Sequence, residues 1–136
     1  MILFQNSIIK LDYNPATDIL EIAYPDLNGY LLPEIQYSIN LMVDIIKNYD
    51  IKKLLLDSTR SVSSVSDEDS REVATYLAAA IMKTRVVKVA RLQSQSTTIE
   101  KRTQGNIRHI RDSLPLPFQL QIFSNKAGAF EWLQEL

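Results

Sequence analysis

The residues with the most chemistry per unit length lie between positions 57 and 72, in the run DSTRSVSSVSDEDSRE. Asp57 could act as a carboxylate at the end of a strand. The hydroxyls of Ser58, Thr59, Ser61, Ser63, Ser64 and Ser66 could accept phosphate, each gaining about −1.5 to −2 charges. Arg60 could pair with a phosphate placed there, or with the acidic turn Asp67–Asp69. The same residue types also have a plainer use. Aspartate at a strand end bonds loop amides, and serine favours loops and helix caps, which accounts for most of this cluster.

Catalytic constellations are harder to assemble. His109 is the single histidine, and with Asp112 and a serine it makes a triad only on paper, since no nucleophile-elbow pattern accompanies it. No phosphate-loop, dinucleotide or HExxH motif occurs. The absence of cysteine removes disulfides, thiolate metal sites and cysteine nucleophiles. The expectation is no catalytic residue, no metal and no cofactor. Tyr76, Phe118, Phe123, Phe130 and Trp132 follow core periodicities rather than forming a base-stacking platform.

The elements that would carry this loop follow from hydropathy. Ile2–Phe4, Ile8–Tyr13 and Ile19–Tyr24 alternate as short strands, with turn chemistry at Asn14-Pro15-Ala16-Thr17-Asp18, so the chain opens with an antiparallel hairpin. Pro33 suits a helix start, and Ile35, Ile39, Met42, Val43 and Ile46 make its inward stripe. Ile51–Leu56 is a strand whose run Leu54-Leu55-Leu56 suits cover on both faces. Ser66 and Asp69 form a capping box for a helix lined by Val73, Ala74, Leu77, Ala80 and Ile81. Val86–Leu92 is the next strand. Thr97 and Glu100 are spaced as a second capping box, for a helix with Ile99, Thr103, Ile107 and Ile110 inward and Gly105 in its middle. Phe118–Phe123 and a terminal helix with Ala129, Phe130, Trp132, Leu133 and Leu136 complete the chain. The fold expected is α/β: an N-terminal hairpin, then alternating helices and strands in a mixed, largely parallel sheet covered by about four helices. Residues 1–136 read as a single domain. A lipid carrier needs a largely apolar cavity of about 300 Å³ or more, and the helices are too filled with Leu, Ile and Ala for one to be expected. In such sheets ligands and partners gather beyond the carboxyl ends of strands, which makes residues 58–66 the expected contact surface.

Two surface features stand apart. Tyr37, Leu41 and Ile45 form a second apolar stripe beside the first, which is either covered by another helix or a face for homodimerisation. The net charge of −1 hides a basic block, Lys83, Arg85, Lys88, Arg91, Lys101, Arg102, Arg108 and Arg111, against Glu100 alone. It either solvates the outer faces of an edge strand and a helix, or binds an anion or nucleic acid. Nucleic-acid binding is not expected, because the charges sit on two elements. The first residues lack a basic n-region and a cleavage site, and no segment approaches the ~20 apolar residues of a membrane span, so a soluble, cytoplasmic protein is expected.

The order of elements, the helix leading into IKKLLLDSTR, the VSDED helix start and the terminal AFEWL helix together resemble the STAS family of anti-sigma-factor antagonists. The likeness extends to the bacterial proteins that share the STAS and CRAL-TRIO signature. In STAS antagonists the strand–loop–helix segment carries a phosphorylatable serine in a DSxG-like motif. Here Asp57-Ser58 and Asp69-Ser70-Arg71-Glu72 occupy that segment, with Glu72 where the motif has glycine. The resemblance implies a STAS-like domain, a non-catalytic regulatory module that binds a protein partner. Its CRAL-TRIO side implies a second reading, a carrier of a small apolar or lipid-like ligand. On the first reading Asp57, Ser58, Thr59, Arg60, Ser63, Ser66 and Asp67 form the interaction and regulatory loop.

Overall fold

The computed structural model describes residues 1–24, 30–60 and 66–135. Six strands form one sheet in chain order: β1 (Ile2–Gln5), β2 (Lys10–Asn14), β3 (Ile19–Ala23), β4 (Lys53–Asp57), β5 (Lys88–Leu92) and β6 (Gln119–Phe123). The first three make an antiparallel meander, and β3 to β6 run parallel. This is the mixed, mostly parallel α/β sheet that the sequence predicts. The β2–β3 turn closes through Asn14, whose side-chain oxygen accepts the Ala16 amide at 3.0 Å. Asp18 there adopts φ 57°, a left-handed conformation that aspartate tolerates better than most residues.

Three helices fill the crossovers: α1 (Leu32–Asn48), α2 (Asp67–Ile81) and α3 (Thr97–Ser113). Parallel strands laid down in sequence order with right-handed crossovers must place every intervening helix on one face. Leu20, Ile22, Leu54, Leu56 and Val89 accordingly face Ile35, Ile39, Met42 and Ile46 of α1 and Ile81 of α2. The terminal helix α4 (Lys126–Gln134) covers the opposite face, where Ala129 and Leu133 meet Ile19, Leu55, Ala90 and Leu92. The uninterrupted run Leu54-Leu55-Leu56 is thus covered from both sides. Lys88 reaches across from β5 to the last carbonyls of α4, bonding Trp132 O and Glu135 O at 2.9 Å each, and lies over the Trp132 ring. No helix among the described residues is long and apolar enough to cross a membrane.

Three local readings change. The strands begin later than their apolar runs, because Ile51 gives its amide to Ile46 O at 3.0 Å and Val86 gives its own to Thr84 Oγ1 at 3.2 Å. Both residues are buried helix-to-strand links rather than ladder members. The cap of α3 is Ser96, which accepts the Ile99 amide at 3.3 Å, so Glu100 lies one residue beyond the capping-box position and turns inward. Finally, β5 is an interior strand between β4 and β6. Its Arg91 shares the helix-covered face with Val89 rather than solvating an outer edge.

Candidate functional site

At the carboxyl end of β4 the expected loop residues separate into two groups. Asp57 takes the Thr59 amide at 3.0 Å and the Thr59 hydroxyl at 2.6 Å, which closes a tight local turn. Ser58 is fully buried, and its hydroxyl is hydrogen-bonded to the Tyr24 hydroxyl just beyond β3. Burial removes Ser58 from the contact surface and from the reach of a kinase in this conformation. Arg60 is exposed. Ser66 caps α2 by accepting the Asp69 amide at 3.1 Å, and Asp67 is an exposed partner of Arg102 at 3.2 Å. Ser61, Ser63 and Ser64 lie outside the described residues.

Beneath this edge lies a pocket somewhat smaller than the roughly 300 Å³ expected of a carrier. This cavity of about 240 Å³, partly open to solvent, lies between the helix-covered face of the sheet and α1, α2 and α3. Its walls are Ile22, Leu56 and Val89 of the sheet, Ile35, Ile39 and Met42 of α1, Val73, Leu77 and Ile81 of α2, and Ile99 and Ile110 of α3. The void explains why Val73, Ala74 and Leu77, the inward stripe of α2, stay only half-buried. Tyr24, whose hydroxyl holds Ser58, also lines it, so the root of the loop and the cavity share a wall.

One end of the cavity is polar. The Arg91 guanidinium donates from one nitrogen to both Glu100 oxygens, at 2.8 and 2.9 Å, and from another to Thr103 Oγ1 at 3.4 Å. Their side chains are 9% and 12% exposed, so this is a nearly buried ion pair. Glu100 also accepts the Ser94 amide. Asn106 donates to Ser70 Oγ at 3.0 Å and accepts from Arg71 Nε at 3.4 Å. Among the described residues every buried side-chain nitrogen and oxygen has a partner.

Arg91, Glu100 and Asn106 were missed as a set because charge and capping patterns absorbed them. Period-two alternation did carry the signal: Arg91 falls two residues after the inward Val89 on a strand with α/β neighbours. The rest of the basic block is spread over the fold. Arg85 pairs with Asp50 at 3.2 Å, Lys88 caps α4, and Arg111 bonds Leu120 O at 2.6 Å, while Lys83, Lys101 and Arg108 are exposed. His109 and Asp112 are exposed on α3. Of the second α1 stripe, Tyr37 is 64% exposed, whereas Leu41 and Ile45 are half-buried and Ile45 packs on the main core.

Tyr13 has the clearest displaced pKa, but lies at the far end of the sheet, beside the β2–β3 turn. Burial, then the 2.8 Å bond to Asp18 and the charges of Asp18 and Asp50, push its phenol up to about 12.

No family model and no curated protein matches the chain. Among solved structures it is similar to a chain in the crystal structure of the diguanylate cyclase SiaD in complex with its activator SiaC from Pseudomonas aeruginosa. The identity is 14% and the TM-score 0.45, over 90% of this chain and 99% of that one. A likeness at that level says nothing of activity or partner.

Proposed function

We propose that the chain is one STAS-like domain, a non-catalytic regulatory module that meets a protein partner through the edge formed by the loop after β4 and the start of α2. The observation that carries this reading is the division of labour at that edge. Asp57 and Ser58 are spent on Thr59 and Tyr24, which fixes the root of the loop, while Arg60, Ser66 and Asp67 are exposed beside it. A fixed root with a polar, charged rim favours recognition over bond-making. Affinity capture on the wild-type chain and on Arg60→Glu/Ser66→Arg tests it, followed by hydrogen exchange of the recovered complex. A protein held by the wild type, lost by the variant and protecting amides at 59–70 supports the reading. Equal recovery on both, with no protection there, refutes it.

A second reading, a carrier or receptor of a small apolar ligand, is favoured by the cavity. The pocket, about 240 Å³ in volume, is lined mainly by apolar side chains of the sheet and of α1, α2 and α3, a setting that suits a small apolar molecule. Native mass spectrometry and an organic extract of the purified chain test this directly. A stoichiometric small molecule supports it, and a clean spectrum from several growth conditions counts against it.

A further inference from the structure

The polar end of the cavity could be taken for an anion site, since two arginines, Arg91 and Arg102, line it. Their charge is already engaged. Glu100 meets Arg91 with both oxygens at 2.8 and 2.9 Å, and Arg102 pairs with Asp67 at 3.2 Å while Asp69 also lines the cavity. A carboxylate or phosphate entering here would meet Asp69 on the lining and, beyond it, the Glu100 carboxylate bonded to Arg91. At Arg91 it would compete with Glu100, which accepts two bonds from one guanidinium nitrogen, and with Thr103 on another. A cation would meet the opposite problem. Water gains little as well, because the buried polar side chains bond one another and most of the remaining lining is apolar.

Resting on the cavity reading, we infer that this site takes a neutral, mainly apolar molecule and discriminates against fatty acids and phosphorylated ligands. Its size follows from the volume. A void of about 150 Å³ accommodates benzene, so 240 Å³ corresponds to roughly ten non-hydrogen atoms. Thr103 and Asn106 are already bonded to Arg91, Ser70 and Arg71, so binding rests on the apolar part of the ligand and a full charge meets no unspent counter-charge.

The test uses the full chain, with methyl-labelled isoleucine, leucine and valine, titrated separately with octan-1-ol, indole and octanoate near neutral pH. The alcohol and the acid share a tail and differ in the head group. The expected result is that octan-1-ol and indole shift the methyls of Ile39, Leu77 and Val89 with Kd on the order of 10⁻⁴ M, and octanoate binds at least about tenfold more weakly. Ala78→Leu and, separately, Val73→Phe fill the void and should abolish the octan-1-ol shifts in a folded protein. Glu100→Gln frees the guanidinium and should raise octanoate affinity about tenfold or more. Octanoate binding as tightly as octan-1-ol, or a folded Glu100→Gln with unchanged octanoate affinity, overturns the neutral-ligand inference and leaves the cavity reading standing. No methyl shift with any of the three probes, or shifts that survive both filling variants, overturns the cavity reading together with it.

Discussion

Replacing Glu100 by leucine should be among the most damaging single changes on α3. It removes both bonds to Arg91 and the acceptor for the Ser94 amide, leaving a nearly buried guanidinium without its counter-charge. Breaking a buried pair from one side costs about 3–5 kcal/mol. The slight exposure of both side chains and the remaining Thr103 acceptor favour the low end, so a loss of about 3 kcal/mol is expected. Urea unfolding at neutral pH reads this as a fall of roughly 1.5–2 M in midpoint, for an m-value near 1.5–2 kcal/mol/M. Removing both charges in Arg91→Met/Glu100→Leu relieves the desolvation of both groups and should return stability to within about 1 kcal/mol of the wild type. Arg91→Met alone completes the cycle, with an expected coupling of about 2 kcal/mol or more. A loss below about 1 kcal/mol for Glu100→Leu would mean that water screens the pair. A double variant as weak as the two single losses added together would mean that the groups do not act as a unit. Either result would also remove the basis for a charge-closed cavity.

Three further outcomes are expected. The Tyr13 phenol holds its proton more tightly in the folded chain (about 12 against an ordinary 10.0), so stability is full below pH 10 and falls as pH rises from 10 to 12; tyrosinate absorbance alongside unfolding checks this, and Tyr13→Phe should flatten that loss. Gly105→Ala should stabilise the chain by about 0.5–1 kcal/mol in thermal unfolding, because a Cβ there meets nothing within 4 Å and the helix gains propensity. The chain should elute as a monomer at micromolar concentration, since Tyr37 is the one exposed member of its stripe and a stable interface needs about 800 Å² per partner; a dimer split by Tyr37→Glu would contradict this.

Periodicity read the architecture well because the core is built from it. The alternation in Lys10–Asn14 and Ile19–Ala23, the double-sided run at Leu54–Leu56 and the helical stripe of α1 each encode one burial pattern. Even α3, with glycine at its centre and few apolar residues, forms because Ile99 and Ile110 are held against the fold and Ser96 caps it. Strand starts were less legible, since Ile51 and Val86 are as buried as ladder residues while their amides go elsewhere. Residue types singled out the stretch after Asp57, but the burial of Ser58 against Tyr24, 34 positions away, is not written in them. The cavity was not legible at all. A void is set by distances between whole elements, and the same Leu, Ile and Val line it that would fill a solid core.

The order of the strands in space is their order along the chain, and this shapes how the sheet can be built. The meander closes through short turns, after which each crossover of about 30 residues returns the chain to the edge it has just left. No strand has to be inserted between two already in place, so the sheet can extend at one growing edge from β3 to β6. Each new helix then seats beside its predecessor, and the space enclosed by α1, α2 and α3 is bounded only when the last of the three arrives.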